Sequence, residues 1–265
     1  SKWKDYMYDA KLVKPINIDS CTDIDTWLVS QFYTRAKVYF SAMDEFKFRD
    51  AYVSVLYEFL NDISYHERRS SKEKTLAVIR YIFTDYVKLM APVTPHVCEE
   101  LFAGESDELV SLSSFETDCD TCINSYLDDI ESTTQEILRA VPNLLSRREI
   151  THATKITLVQ ASDERFKLFD RIKDLLGETR EFKKIIRTLM SEFVSDGNFI
   201  KRFVPKTLGE GLSAYLEKSE EKAYLESVKS FLETEFGCSI EIIDIASLGE
   251  TKINPLPGKP GIIVD

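Results

Sequence analysis

Residues 89–102 read LMAPVTPHVCEELF, and this stretch decides how the first half of the chain folds. Pro92 lacks a backbone N–H and disfavours a helical conformation for its predecessor, so a helix that arrives here must end near Ala91. Thr94 is a preferred N-cap and Pro95 suits the first helical position, which predicts a new helix directly after the stop. The stretch therefore predicts a tight corner between two helices.

Helical periodicity extends outward from this corner on both sides. Apolar residues recur at helical spacing, and Thr22 with Asp25 forms a capping-box-like start. The pattern predicts helices over residues 22–43, 48–63, 70–91, 94–102 and 123–145. Five aromatic residues at helical spacing are expected in their core: Trp27, Phe32, Phe59, Phe83 and Tyr86. Residues 22–150 thus indicate an antiparallel helical bundle.

After about Thr151 the periodicity changes and strands become predictable. Alternation and β-branched residues predict strands over 155–160, 240–245 and 261–264. Helices are expected over 163–176, ended by Gly177, and over 178–193 and 219–236. Residues 198–212 are expected to be irregular and basic. A mixture of helices with a small sheet is typical of an α+β domain.

The predicted fold class is therefore mostly α, an antiparallel helical bundle followed by a small α+β domain. We expect three parts along the chain. Residues 1–20 form a linker, in which no helix is predicted, residues 21–150 form the bundle, and residues 151–265 form the α+β domain.

The charge distribution limits where nucleic acid could bind. The chain carries a net charge of −11, which argues against a protein that coats nucleic acid non-specifically. Residues 1–150 hold 17 basic against 26 acidic residues, and residues 207–265 hold 5 against 11. Residues 151–206 hold 12 against 8. Only this middle segment has an excess of positive charge that can attract phosphate.

Composition also bears on location and on metal binding. No apolar run approaches a membrane span and no signal-peptide pattern is present, so a cytoplasmic monomer without a membrane partner is expected. The five cysteines are scattered and odd in number, which favours reduced thiols. Cys119 and Cys122 have the spacing of half a zinc site. No second pair follows at ligand spacing, so we expect a loop and no metal.

Several of these segments resemble one family. Residues 89–102 resemble the APxxPHxxEEL segment in the helical bundle of class I aminoacyl-tRNA synthetases for leucine, isoleucine, valine and methionine. Residues 25–28 (DTWL) resemble the D-x-W-[IL] opening of that bundle, and residues 46–51 with 65–69 resemble its second helix. The segment 254–265 (NPLPGKPGIIVD) is similar to the end of archaeal and eukaryotic cytosolic leucyl-tRNA synthetases.

The resemblance implies a tRNA-binding C-terminal region of a leucyl-tRNA synthetase. The bundle would dock the elbow and D-stem side of tRNA(Leu), and the α+β domain would reach the long variable arm. Catalytic and editing domains of the parent enzyme would be its partners, with ATP and Mg²⁺ acting in the catalytic domain. The HIGH-like and KMSKS-like signatures are absent from this chain, so no catalytic residue and no cofactor is expected within it.

Candidate tRNA-binding residues come from clustered basic residues and from the resemblance of the tail. Phosphate contacts require concentrated positive charge, and base stacking requires exposed aromatics among basic residues, a description that Phe199 and Phe203 fit. The basic residues Lys183, Lys184 and Arg187 equally fit a solvated helical face. Ile262 could instead complete the core. The predicted set is Arg147, Arg148, Lys184, Arg187, Lys201, Arg202, Lys206, Lys259 and Ile262.

Two rival functions remain open at this level. The acidic bundle could be a docking surface for a partner protein, with RNA binding incidental. The chain could also be the corresponding region of an isoleucyl- or valyl-tRNA synthetase, which would bind an anticodon. The tail over residues 254–265 disfavours this second rival.

Overall fold

The chain divides into two compact units, Ser1–Asp128 and Asp129–Asp265. A computed structural model describes residues 2–210, 212, 215–249 and 253–265. Within this part of the chain, no helix is long and apolar enough to cross a lipid bilayer. The mostly α architecture with one small sheet confirms the predicted fold class.

The first unit is helical. A π-helical turn, Val53–Glu58, joins the helices Phe48–Tyr52 and Phe59–Arg69, and two short 3-10 turns span Ile18–Ser20 and Val110–Leu112. The helices are α1 (Lys2–Lys11), α2 (Asp23–Asp44), α3 (Phe48–Tyr52), α4 (Phe59–Arg69), α5 (Lys72–Tyr81), α6 (Phe83–Met90), α7 (Pro95–Phe102), α8 (Cys119–Cys122) and the start of α9 (Ser125–Arg147).

Aromatic side chains fill the core of this unit, as the helical stripes predict. Phe32 from α2, Phe59 from α4 and Tyr86 from α6 are fully buried. Their ring centroids lie 5.3 Å apart in each pair. Trp3 packs edge-on against Tyr86 at 5.9 Å. Tilted and edge-on contacts of this kind add to the stabilisation from burial alone.

The corner at residues 89–102 forms as predicted, with one difference in its cap. Helix α6 ends at Met90, and Pro95 occupies the first turn of α7. The Thr94 hydroxyl does not cap α7 but donates to the Met90 carbonyl at 3.2 Å. The prediction that Thr94 caps through its side chain is therefore wrong, because its hydroxyl donates instead to the Met90 carbonyl at the end of α6.

Several helical boundaries in this unit differ from the prediction. The helix expected over 48–63 contains the π-helical turn Val53–Glu58 and continues to Arg69. The helix expected over 70–91 is divided at Ile82 into α5 and α6. Helix α1 was not predicted, yet Trp3, Met7 and Ala10 lie along one buried face and pack toward α5, α6 and α7. Their i, i+4, i+7 spacing is a helical signal that polar neighbours obscured.

A buried polar network ties α2, α4 and α5 together. One carboxylate oxygen of Asp25 accepts from the Thr22 N–H at 3.0 Å, which caps the first turn of α2. The other oxygen lies 2.9 Å from His66 Nε2. The second ring nitrogen of His66 lies 2.8 Å from Thr75 Oγ1, whose hydroxyl donates to the Ser71 carbonyl. Both ring nitrogens of His66 therefore lie within hydrogen-bond distance of an oxygen atom.

Burial alone would raise the pKa of Asp25, but hydrogen bonds from His66 and Thr22 outweigh it and lower the pKa to about 2. An ionised Asp25 can thus remain buried because Thr22 and His66 supply hydrogen bonds to both of its carboxylate oxygens. Residues 25–28 and residues 65–69, which the sequence analysis singled out as motifs, therefore meet at this carboxylate. Asp25 and His66 are separated by 41 positions.

The second unit is built on a three-stranded sheet with strand order β2-β1-β3. Strands β1 (Lys155–Gln160) and β2 (Ser239–Asp244) are parallel, and β3 (Gly261–Val264) pairs antiparallel with β1. The connection from β1 to β2 contains the remaining helices. These are α10 (Asp163–Glu178), α11 (Phe182–Glu192), α12 (Gly197–Glu210) and α13 (Lys218–Phe236).

Two apolar clusters stabilise this unit. One joins the three strands to α13 and the later turns of α9, and includes Leu158, Leu225 and Val264. The other joins α10, α11 and α12, and includes Ile172, Leu189 and Val204. Burial of a side chain of this size contributes roughly 1.5–3 kcal/mol.

The segment expected to be irregular over 198–212 is instead largely helical, so that prediction is wrong. Helix α12 continues through Pro205, whose missing N–H leaves the Lys201 carbonyl without its helical donor. Ile200 and Val204 are fully buried one turn apart, and their packing compensates for the proline. Gly177, expected to end α10, lies inside that helix, which ends at Glu178. Gly211, at the end of the expected basic segment, lies outside the described residues.

We expect Asp25→Asn to lower the free energy of unfolding by about 3 kcal/mol, because the variant leaves the buried His66 ring without its charged acceptor. Urea unfolding near neutral pH measures the loss. Asp23→Asn changes an exposed acid in the same first turn and is the matched control. It should alter the value by no more than about 0.5 kcal/mol.

The same pair of variants tests the pKa of Asp25. Its folded value of about 2 lies below the unfolded value of about 3.9. The stabilisation is therefore complete above about pH 4 and is lost as the pH falls through about 2. A stability gap between wild type and Asp25→Asn that stays constant across this window would contradict the assignment.

Candidate nucleic-acid interface

All nine predicted site residues lie in the second unit. Their positions separate them into an α11–α12 group and a tail group that includes the end of α9. The first group contains Lys184 and Arg187 on α11 with Lys201, Arg202 and Lys206 on α12, all exposed. The second contains Arg147, Arg148, Lys259 and Ile262.

The α11–α12 group is presented by the apolar cluster beneath it. Ile185 and Leu189 bury one face of α11, and Ile200 and Val204 bury one face of α12. Basic residues on the remaining faces are therefore directed away from the core. We name the five exposed basic residues of this group the basic surface.

Acidic residues at the junction of α11 and α12 are neutralised by arginines of α10. Glu192 accepts from Arg171 at 3.0 Å and 3.2 Å in a two-pronged contact. Asp196 pairs with Arg165 at 3.1 Å. These pairs cancel the negative charges nearest the junction, so they leave the field of the basic surface positive.

A groove runs along one side of α12. It has a volume of about 390 Å³. We name it the α12 groove, and it is lined by Asn198, Phe199, Arg202, Phe203, Lys206 and Asn254. Thus two of the predicted basic residues share one concave surface with the two aromatics that the sequence singled out.

An arginine and two phenylalanines are stacked at the base of this groove. The Arg165 guanidinium carbon lies 3.9 Å from the centroid of the Phe199 ring. Phe199 and Phe203 stack with centroids 4.9 Å apart and planes inclined by 19°. Both rings remain half-buried. Phe169 of α10 supports Phe203 from within the core at 4.9 Å.

Arg165 also attaches the C-terminal segment to the groove. Its Nη2 donates to Asn254 Oδ1 at 3.2 Å. Burial lowers the pKa of Arg165 and outweighs the opposing attraction of Asp196, although a guanidinium remains protonated in proteins. The contact between α10 and the tail spans 89 positions of sequence. Sequence reasoning missed Arg165, Asn198 and Asn254 because no local pattern distinguishes them.

The tail after Asn254 folds into a fixed turn. Leu256 and Lys259 exchange two backbone hydrogen bonds, and Gly258 lies between them at a φ of +73°. The Gly258 N–H donates to the buried Glu221 carboxylate at 2.6 Å. Burial raises the pKa of Glu221, against the opposing effect of this hydrogen bond. The turn leaves Lys259 exposed.

The remaining tail residues have structural roles as well. The Arg148 guanidinium donates to the Val264 carbonyl at 3.0 Å and so supports the end of β3, and both Arg147 and Arg148 are exposed. Ile262 is half-buried and packs against the sheet cluster. This packing is the core role that the sequence left open for Ile262. The β3 strand pairs with the sheet as predicted.

The cysteine pair lies on the short helix α8, so the loop expected at Cys119 and Cys122 is wrong. Both thiols are free, and burial raises the pKa of Cys119. Among the residues that the structure describes, no group of three or more histidine, cysteine, aspartate or glutamate residues is arranged to hold a metal ion.

Comparison with known proteins identifies the family. Residues 25–160 match the family described as the anticodon-binding domain of tRNA ligase. Leucine–tRNA ligases of Pyrococcus horikoshii and Methanocaldococcus jannaschii are each 28% identical to the chain over 249 residues. These matches cover 92% and 91% of this chain, respectively, and 25% of each relative.

The leucine–tRNA ligase of Archaeoglobus fulgidus is 28% identical over 250 residues, which cover 93% of this chain and 25% of that protein. The chain thus spans about a quarter of the length of these relatives. The family match alone covers just over half of the 265 residues. The chain therefore belongs to the family of anticodon-binding domains of tRNA ligases.

Proposed function

We propose that this chain is the tRNA-binding C-terminal region of a leucine–tRNA ligase. The helical bundle docks the elbow and D-stem side of tRNA(Leu), and the second unit contacts the long variable arm. The observation that carries the proposal is the basic surface of α11 and α12, beside an aromatic groove, in a chain whose relatives are leucine–tRNA ligases. RNA-binding proteins combine these two features.

Recognition in this proposal rests on shape and on the phosphate backbone. A chain with a net charge of −11 repels RNA over most of its surface, so binding depends on the local positive field of the second unit. Phosphate contacts set the position and orientation of the RNA, and few base contacts are required. Binding by the chain alone should be weak and sensitive to salt.

The tail is proposed as a second contact in the same unit. Lys259 is exposed on a turn that is fixed by Glu221 and by its own backbone hydrogen bonds. A fixed turn loses little conformational entropy on binding, which favours its use as a contact. Arg147 and Arg148 add charge near the end of β3, and Ile262 contributes through its half-exposed surface.

Leucylation itself is assigned to the catalytic domain of the parent enzyme. ATP and Mg²⁺ would act in that catalytic domain. The editing domain would be another part of the parent enzyme, and this chain would only position the tRNA. No residue of this chain is proposed to be catalytic. The proposed setting is a monomeric enzyme of the cytoplasm.

The proposed function is tested by comparing three RNAs. We expect the chain to bind tRNA(Leu) at least about tenfold more tightly than the same tRNA without its variable arm, because the armless RNA lacks the part that the second unit contacts. A tenfold difference in affinity corresponds to about 1.4 kcal/mol. Isoleucine tRNA, which lacks a long arm, should resemble the armless RNA. Gel-shift titration measures all three. Tighter binding of isoleucine tRNA would favour an isoleucyl-type region, and no binding of any RNA would favour a protein-docking module.

A second test removes charge from the basic surface. The triple variant Lys201→Gln, Arg202→Gln, Lys206→Gln should weaken tRNA(Leu) binding and reduce the slope of log affinity against log salt by about 2. Each lost phosphate contact removes roughly 0.7–0.9 of this slope.

The matched control neutralises three other exposed lysines of the second unit, through Lys167→Gln, Lys173→Gln and Lys222→Gln. The change in formal charge is the same for a control and a test variant. Equal reductions of the slope in both would mean that only net charge matters, and the basic surface would not be the contact.

A further inference from the structure

A cavity of about 710 Å³ lies at the carboxyl ends of the parallel strands β1 and β2. Gln160 and Asp244, the last residues of the two strands, line it together with Asp163 and Lys218, the first residues of α10 and α13. We name the space bounded by these four residues the strand-end cavity. Open sheets with parallel strands bind ligands in the crevice outside the carboxyl ends of those strands, so this is where a ligand is expected.

We propose that the strand-end cavity binds an aliphatic polyamine, with ammonium groups at its carboxylates and methylene groups on its apolar wall. The inference goes beyond the proposed function and does not depend on it. The volume of the cavity lies within the roughly 300–1,000 Å³ of small-molecule sites.

The charge of the cavity favours a cation. Among the described residues that line it, four carboxylates stand against two ammonium groups, which leaves a charge of −2. The starts of α10 and α13 add roughly +0.5 each, which does not cancel this excess. One ammonium, that of Lys218, is already engaged, because it donates to Asp163 at 2.7 Å and also pairs with Asp244. An anionic ligand would therefore meet more repulsion than attraction here.

The two other carboxylates of the cavity have free oxygens. Asp170 accepts from the Tyr215 hydroxyl through Oδ1 at 2.7 Å, and its Oδ2 has no partner in the described part of the chain. Glu217 precedes α13 without capping it through its side chain and forms no ion pair with a described residue. Both side chains are exposed. Each can therefore accept from an ammonium group without breaking an existing ion pair.

A buried acceptor also requires a donor at this place. Gln160 is only 3% exposed, and its Nε2 donates to the Lys218 carbonyl at 2.7 Å. Its Oε1 accepts no hydrogen bond from any residue that the structure describes, although buried polar atoms are normally paired. Because Gln160 lines the cavity and is otherwise enclosed, a donor reaches this oxygen through the cavity. A ligand ammonium would supply that donor.

The apolar part of the cavity selects among cations. Phe166, Ile242 and Ile243 line it, and all three are buried or half-buried. Within the described residues, no group of histidine, cysteine, aspartate or glutamate side chains is arranged to hold a metal ion. Methylene groups gain from contact with an apolar wall, whereas a hydrated metal ion does not. A polyamine combines separated ammonium groups with methylene chains, and so it matches both parts of the cavity.

Isothermal titration calorimetry of the full chain with spermidine tests the inference. An ionic strength of about 0.15 M screens the attraction between exposed charges that would bind the ligand non-specifically. We expect one saturable site per chain. Competition then compares 1,4-diaminobutane with Mg²⁺, which carry the same charge. The diamine should displace spermidine at a concentration at least about tenfold lower, because only the diamine has methylene groups for the apolar wall.

Two variants locate the site. Asp170→Asn and Glu217→Gln each remove one negative charge from the cavity at nearly constant shape, and each should weaken spermidine binding about tenfold, which corresponds to about 1.4 kcal/mol. The matched controls are Asp174→Asn and Glu220→Gln, exposed acids of the same two helices that do not line the cavity. Each control should change the affinity by less than about twofold, because solvent and salt screen the lost charge.

Three results would overturn the inference. The first is the absence of saturable spermidine binding. The second is equal competition by Mg²⁺ and 1,4-diaminobutane, and the third is a control variant that weakens binding as much as its matched test variant. Thermal unfolding of each variant checks the fold. Asp170 and Glu217 lie on different elements, so either variant alone decides the question if the other fails to fold.

Discussion

The proposed RNA-binding surface depends on the contacts of the Arg165 guanidinium. It contacts Asp196 before α12, Phe199 within α12, and Asn254 at the start of the tail. The side chains of Arg165 and Asp196 are only 13% and 17% exposed, so the ion pair is sheltered from solvent. Loss of one partner of a buried pair costs about 3–5 kcal/mol, and a desolvated cation–π contact contributes about 2 kcal/mol. One side chain from α10 thereby connects three other segments of the unit.

The same contacts allow an acidic chain to present a positive surface. The arginines of α10 pair with Asp196 and Glu192 at the junction of α11 and α12, so these two carboxylates do not cancel the positive charge of the basic surface. The apolar cluster beneath them keeps α12 helical despite Pro205. Packing, charge pairing and the proposed function therefore depend on one arrangement of α10, α11 and α12.

Features that depend on local sequence could be predicted, and those that depend on distant contacts could not. The corner at Pro92 and Pro95 and the buried stripe through Phe32 follow from proline geometry and helical spacing. Helix α12 was missed because Pro205 is a strong local signal, whereas the burial of Val204 is set by other helices. Clustered charge singles out the basic residues proposed as contacts on α11 and α12, and the structure shows that they are exposed. The contact between Arg165 and Asn254 requires the folded chain.

The most direct test of this account is to map where tRNA touches the protein. Photocross-linking of tRNA(Leu) that contains 4-thiouridine, followed by mass spectrometry of the cross-linked peptides, gives the contacts without any substitution. The account predicts cross-links in α12 over residues 198–206 and in the tail over residues 254–262, with further ones in the helical bundle. Cross-links confined to residues 1–128, or a pattern unchanged when the variable arm is removed, would contradict it.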